Sequence, residues 1–109
     1  MAEPFHILVV EDEPDVRATF RQWLRAGVAN LNLLQASNAP EALEIASSHP
    51  VDLAVLDWNL GAGIDGLQVL KSLTLFHSDI VAILVTGHAD LATPLQALKL
   101  GVQIGRAHV

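Results

Sequence analysis

Three short apolar runs in this chain stop at residues that carry reactive or ligating groups. The runs are Ile7–Val10, Leu53–Leu56 and Val81–Val85, and branched aliphatic side chains dominate them. Segments with helical periodicity separate the runs, which is typical of parallel strands that are buried on both faces of a sheet. The sequence therefore predicts an α/β fold, a doubly wound parallel sheet with a layer of helices on each face.

Turn signals and hydrophobic periodicity divide the chain into alternating strands and helices. The strands are expected near residues 5–10, 32–36, 52–57 and 80–85. The helices are expected near residues 14–27, 39–48, 65–76 and 90–100. Their starts are well marked, because Pro14 and Pro40 fit the first turn of a helix, where a missing amide proton costs nothing. Asn38 and Glu41 have the spacing of a capping box.

The first predicted helix carries one apolar face. Val16, Phe20, Trp23 and Leu24 recur at helical spacing, and we expect this face to pack in the core.

Gly27 and Gly101 fit as C-terminal residues of helices. Arg17, Arg21 and Arg25 recur every four residues along the same helix. They form either a solvated face or a stripe that docks a partner.

Composition limits the classes of function that this chain can have. Its 109 residues suffice for one domain. A net charge of −6 disfavours direct binding to nucleic acid. No apolar run approaches the length of a membrane span, the N-terminus lacks the regions of a signal peptide, and cysteine is absent. These features predict a cytoplasmic protein without a membrane segment.

The residues that follow the apolar runs form a candidate site. Glu11 and Asp12 follow the first run, Asp57 follows the second and Thr86 follows the third. Ligands bind beyond the carboxyl ends of the strands in such sheets, so these groups should share one edge. Three crowded carboxylates repel one another unless a cation neutralises them, and Mg²⁺ prefers oxygen ligands. With Mg²⁺ present, Asp57 could attack a phosphoryl group while Thr86 donates a hydrogen bond to it.

Each of these positions has a purely structural interpretation as well. An aspartate at the end of a strand often caps a helix, and a threonine there often belongs to a turn. Taken singly, either interpretation explains each residue equally well. The whole set, in this order along the chain, favours a site.

With these residues in place, the chain resembles a response-regulator receiver domain, the phosphoacceptor module of two-component signalling. The similarity covers about residues 5–103, and five segments carry it. They are the stretches 7–14 (ILVVEDEP), 52–57 (DLAVLD), 65–67 (DGL), 83–90 (ILVTGHAD) and 97–101 (ALKLG).

The resemblance implies a flavodoxin-like fold and assigns roles to individual residues. Asp57 would accept a phosphoryl group from the phosphohistidine of a sensor histidine kinase or of a phosphotransfer protein. Asp12 and Asp57 would bind Mg²⁺ through carboxylates, Asn59 would bind it through its backbone carbonyl, and Glu11 would act through a water. Thr86 would be the switch hydroxyl. The domain would be a switch rather than an enzyme in a bacterial regulator, and its output domain would act on transcription.

The end of the chain departs from the family pattern. After Gly101 the family continues into a fifth strand with an aromatic residue and a lysine followed by proline, and then into a last helix. Here Gly105, His108 and Val109 take those three positions. Residues 104–109 correspond to a translation of the nucleotides that open a common sequencing-library adapter. We therefore expect residues 1–103 to be a truncated receiver domain and residues 104–109 to be a non-native tail.

Two alternatives belong to other functional classes. A degenerate receiver would act as a protein-interaction module that needs no phosphorylation. An aspartyl-phosphate hydrolase would share a similar sheet, but it would need a second aspartate two residues after the nucleophile as general acid. Asn59 occupies that position and cannot supply the proton.

Overall fold

The computed structural model describes residues 3–57 and 66–85, apart from the side chain of Leu67. Strands and helices alternate along these residues. The strands are β1 (Phe5–Val10), β2 (Leu31–Ala36), β3 (Leu53–Asp57) and β4 (Val81–Val85). The helices are α1 (Pro14–Gly27), α2 (Ala39–Ser48) and α3 (Gly66–Leu73).

The four described strands form one sheet in the order β2-β1-β3-β4, and every neighbouring pair is parallel. The order reverses at β1, because the chain moves outward from β1 to β2 and then returns to the other side of β1 for β3. Such a reversal opens a crevice at the carboxyl ends of the central strands. The fold thus provides a place for a ligand beside the ends of β1 and β3.

Two helical layers bury the two faces of the sheet. Alternate residues of β1, β3 and β4, including Leu8, Leu56 and Leu84, pack with α2 and α3 in the larger part of the core. The intervening residues Ile7 and Val9 face α1 on the other side. The sheet is therefore doubly wound, as the sequence predicts, and its central strands carry continuous apolar runs because both of their faces are covered.

The predicted elements agree closely with those in the described ranges. Helix α3 is the largest exception, because it ends at Leu73 where the sequence pattern predicts residue 76. Residues 74–76 form a tight turn there, in which the amide of Phe76 donates to the carbonyl of Leu73 at 3.0 Å. The helix predicted at residues 90–100 lies outside the described residues. None of the described helices is long and apolar enough to cross a membrane.

The start of α2 shows the predicted cap with one change. The Asn38 side chain accepts a hydrogen bond from the Glu41 amide at 2.9 Å, which is the first half of a capping box. The predicted capping box would also have the Glu41 carboxylate accept from the Asn38 amide, and it does not. It accepts instead from the amide and hydroxyl of Ser37, at 2.8 and 2.7 Å. Glu41 therefore ties the first turn of α2 to the residue that follows β2.

The expectation that Trp23 packs in the core is wrong. Its side chain is 66% exposed, whereas Phe20 and Leu24 pack against Ile7 and Val9. At 3.6 residues per turn, Trp23 lies about 60° around the helix from Phe20, on the side away from Leu24. Its indole meets the Phe20 ring edge-on, with 6.0 Å between the ring centroids.

Replacing Gly27 with alanine should stabilise the protein. Gly27 is the last residue of α1, its backbone is not left-handed, and an added Cβ would meet no heavy atom within 4 Å. Because alanine restricts the unfolded chain more than glycine does, we expect a gain of about 0.4–1 kcal/mol in the free energy of unfolding. Urea unfolding of Gly27→Ala beside the unaltered chain measures this, and a lower midpoint for the variant would contradict it.

Candidate functional site

The strand register brings two acidic residues to the same level of the sheet. Val10 of β1 pairs with Leu56 of β3, so the next residues, Glu11 and Asp57, lie side by side at the carboxyl edge. The Glu11 amide extends the ladder to β2 by donating to the Ala36 carbonyl at 3.0 Å. Both carboxylate residues are buried, with exposed fractions of 3% for Glu11 and 6% for Asp57. The sheet therefore fixes the backbone beneath two of the three predicted carboxylates.

Asp12 completes the cluster from the connection between β1 and α1. It is exposed, and one carboxylate oxygen from each of Glu11, Asp12 and Asp57 lies within 4.8 Å of the other two. Two ligands of one Mg²⁺ ion at about 2.1 Å each stand between roughly 3 and 4.2 Å apart. A limit of 4.8 Å lies slightly above this range, so the cluster offers the oxygen donors of a hard divalent cation at a spacing close to the one it requires.

Burial disfavours the charged forms of these carboxyl groups while no cation is bound. It raises the pKa of Glu11 from its ordinary 4.5 to about 8, and a hydrogen bond with Asp12 and the charges of Asp57 and Asp12 act in the same direction. The amide of Glu13 donates to the Glu11 carboxylate at 3.1 Å and opposes this rise in pKa. In the metal-free protein at neutral pH, Glu11 therefore keeps its proton. A divalent cation would displace that proton on binding.

Arg17 contributes a contact that the sequence did not assign to the site. Its guanidinium Nη1 donates to the backbone carbonyl of Glu11 at 2.7 Å, from the fourth residue of α1. From the sequence, the stripe of three arginines along α1 could be either a solvated face or a docking surface. Arg17 is half-buried and turned toward the carboxyl edge of the sheet, whereas Arg21 and Arg25 are exposed.

Gly66 allows α3 to start directly against β3. A Cβ at this position would lie 2.5 Å from the Asp57 carbonyl oxygen and 2.6 Å from Cδ2 of Leu84. Only glycine leaves room for this approach, since β carbons essentially never come so close to a backbone oxygen. Gly66 therefore lets α3 pack against the backbone of the residue that carries the buried carboxylate.

Two predicted site residues fall outside the described part of the chain. Asn59 belongs to residues 58–65 and Thr86 to residues 86–109, so their roles remain predictions. Residues 104–109 of the expected tail lie there as well. Among the described residues, the structure brings together the three carboxylates that the sequence selected.

Comparison with known proteins agrees with this fold. The family model for the response regulator receiver domain matches residues 7–104. An NtrX-like response regulator of Rickettsia conorii is 33% identical over 96 residues, which are 87% of this chain and 20% of that protein. The chain thus spans about a fifth of the length of the first curated relatives that it matches.

Solved structures of the same kind superpose on the chain. A CheY-like receiver domain from Methanospirillum hungatei matches with a TM-score of 0.71 at 22% identity, covering 95% of this chain and 78% of that one, which supports the fold. A response regulator of Burkholderia pseudomallei, solved with a phosphorylated aspartic acid, a calcium ion and citrate, matches with a TM-score of 0.65 at 31% identity. That match covers 89% of this chain and 55% of the other.

The chain belongs to the response regulator receiver domain family, whose members serve two-component systems. The family match spans most of the chain, and the fold is the flavodoxin-like receiver fold that the sequence predicted.

The stability of the metal-free protein should fall as pH rises between about 4.5 and 8. The unfolded chain releases the Glu11 proton near pH 4.5, whereas the folded chain holds it to about pH 8. Between these values the folded state binds more protons, so the free energy of unfolding decreases with pH. Because other groups also titrate in this range, the measurement is urea unfolding in EDTA at several pH values for the unaltered chain and Glu11→Gln.

The glutamine side chain keeps an oxygen that can accept from the Glu13 amide but has no proton to lose in this range. The difference in stability between the two proteins should therefore shift in favour of Glu11→Gln as pH rises. A difference that does not change between pH 5 and 8 would show that Glu11 titrates normally.

Replacing Gly66 with alanine should destabilise the protein, unlike the same replacement at Gly27. The new methyl group overlaps the Asp57 carbonyl and the Leu84 side chain, so α3 must move away from β3. Overpacking of this kind costs about 1–3 kcal/mol. Urea unfolding of the two alanine variants provides the comparison, and equal midpoints would mean that α3 adjusts without strain.

Proposed function

We propose that this domain is the phosphoacceptor switch of a two-component phosphorelay, and that Asp57 accepts the phosphoryl group. The observation that carries the proposal is the convergence of three carboxylates at the carboxyl edge of the sheet, with Asp57 at the end of a buried strand. Membership of the receiver family supports the same assignment. The related Burkholderia protein, with its phosphorylated aspartic acid, is consistent with it.

The chemistry at Asp57 is a displacement at phosphorus. A carboxylate oxygen attacks the phosphorus of a phosphohistidine, forming a P–O bond as the P–N bond breaks. The leaving imidazole nitrogen takes the electron pair of that bond and gains a proton from water. Because β3 is buried to its last residue, the Asp57 backbone stays in place while the donor approaches from the open edge. The protein's part is mainly positioning and charge neutralisation.

The same edge would hold the cation that this transfer needs. Glu11, Asp12 and Asp57 would hold Mg²⁺ together with the backbone carbonyl of Asn59, and Glu11 would act through a water. Bound there, the ion would offset the charge of the phosphoryl oxygens. Hard oxygen donors on three converging side chains support this choice of metal. The related Burkholderia structure also contains a calcium ion, a divalent cation that prefers oxygen ligands.

The proposed partners follow from this exchange. A sensor histidine kinase or a phosphotransfer protein would supply the phosphoryl group, and Thr86 would respond as the switch hydroxyl. A transcriptional output domain in a longer parent protein would read the change, since the curated relatives are about five times as long as the matched region. We place this exchange in the cytoplasm, without contact to nucleic acid or membrane by this domain. It is a stoichiometric switch rather than a turnover enzyme.

Acetyl phosphate with Mg²⁺ should phosphorylate the chain at Asp57 and nowhere else. The expected result is a phosphoryl adduct in the intact mass of the unaltered protein that EDTA prevents and mild base removes. Asp57→Asn should show no adduct, because the amide is not a nucleophile toward phosphorus.

The matched control is Asp52→Asn, the same replacement just before the other end of β3. Asp52 is exposed there, and its carboxylate accepts from the His6 amide at 2.8 Å, a bond that asparagine can also accept. This variant should become phosphorylated like the unaltered chain. An adduct that survives Asp57→Asn would reject the assignment. No adduct in these proteins, nor in the same chain extended by the fifth strand and the lysine of the family pattern, would favour a module that binds its partner without phosphorylation.

A further inference from the structure

Arg17 holds both ends of the short connection between β1 and α1. Its backbone amide donates to the carbonyl of Glu13 at 2.9 Å, as the first turn of the helix requires. Its side chain reaches back to the carbonyl of Glu11 at 2.7 Å. A charge-assisted bond of this length to a backbone oxygen is a strong restraint. The segment that carries Asp12 therefore lies between two hydrogen bonds from one residue.

The Glu11 carbonyl belongs to the peptide unit that leads into Asp12. The Glu11 amide is fixed by β2, but beyond that point the chain leaves the sheet and gains no further ladder bond from the described strands. Holding the carbonyl oxygen fixes the plane of the Glu11–Asp12 peptide, because the peptide bond is rigid. Asp12 is the exposed member of the cluster, so the direction of its carboxylate depends most on this plane.

The charge of Arg17 also acts on Glu41 of α2. The pKa of Glu41 is lowered, first by the amide and hydroxyl of Ser37 and also by the charge of Arg17. Glu41 is in turn fixed to Ser37, the residue after β2. The bond to the Glu11 carbonyl itself limits the freedom of a long side chain that would otherwise sample many rotamers.

We propose that Arg17 is a positioning residue that sets the affinity of the acidic cluster for a divalent cation, by fixing the peptide between Glu11 and Asp12. The inference rests on the proposed function, since it requires that the cluster binds such a cation. Arg17 itself touches neither the cation nor the phosphoryl group in this proposal. It acts through the backbone of its neighbours.

Simple electrostatics predicts the opposite change in Mg²⁺ affinity when Arg17 is replaced, so a binding measurement can separate the two explanations. Arg17 adds a positive charge near the acidic cluster, so its removal would strengthen the binding of Mg²⁺ if charge alone mattered. Loss of positioning would instead weaken binding. Residues that orient metal ligands from outside the coordination sphere commonly change metal affinity by 10- to 100-fold. The sign of the change therefore separates the two effects.

The experiment compares Arg17→Met with Arg21→Met by calorimetric titration of the full chain with Mg²⁺ alone. Methionine keeps an unbranched apolar stem but has no donor. Arg21 lies one turn further along α1 and is exposed, and its side chain has no hydrogen bond or ion pair with a residue that the structure describes. We expect about tenfold weaker binding for Arg17→Met. Binding by Arg21→Met should be unchanged or tighter.

Arg17→Lys should recover most of the affinity, because a single ammonium donor can replace the one bond to the Glu11 carbonyl. Equal or tighter binding by Arg17→Met, or no recovery with lysine, would overturn the proposal. Failure of the unaltered chain to bind Mg²⁺ would overturn both this inference and the metal site of the proposed function. Weakened binding only in Asp12→Asn and Asp57→Asn would leave the proposed site intact and reject the role of Arg17.

A metal-free measurement keeps the test decisive should Arg17→Met fail to unfold cooperatively in urea. Glu41→Gln removes the carboxylate whose charge interacts with that of Arg17, and Glu44→Gln removes another charge about one turn further along α2. In amide NMR spectra recorded in EDTA, Glu41→Gln should shift the Asp12 resonance and Glu44→Gln should not. An unperturbed Asp12 amide in Glu41→Gln would show that the network does not reach the cluster.

Discussion

Parallel pairing of β1 with β3 is the constraint on which the site depends. Because the two strands run in the same direction and Val10 pairs with Leu56, their next residues reach the same edge at the same height. Antiparallel strands would send Glu11 and Asp57 to opposite ends of the sheet. Both faces of these strands are covered by helices, so the chain cannot slip by one residue without turning apolar side chains toward the wrong layer. The packing of the core thereby fixes how close Glu11 and Asp57 lie at the carboxyl edge of the sheet.

The same constraint creates an electrostatic cost that the fold must offset. Two of the three carboxylates are nearly inaccessible to water, and the rise in the pKa of Glu11 is the measure of that cost. The Glu13 amide reduces this cost only in part. Such a cluster is better suited to binding a cation than to stabilising the fold. A site of this kind is expected to trade stability for function.

The alternation of strands and helices and the candidate carboxylates could be predicted from sequence because both follow from strong local signals. Branched aliphatic runs identify buried strands, and the polar residues that end them identify the edge. The details that sequence reasoning missed depend on tertiary packing. Trp23 has the right spacing for the core, but α1 turns Phe20 and Leu24 toward the sheet instead. Glu41 has the right spacing for a reciprocal cap, but Ser37 offers it two donors.

Arg17 shows most clearly why spacing alone could not complete the site. On a helical wheel it lies on the same side of α1 as Arg21, about 40° away, and its height along α1 is what distinguishes it most. At the fourth residue of the helix its side chain can reach back to the end of β1, whereas Arg21 begins four residues, about 6 Å, further along the helix. The arginines of the stripe therefore differ in what they can do. Arg17 holds the backbone at the carboxyl edge of the sheet, whereas Arg21 and Arg25 remain on the surface, where they can meet other molecules.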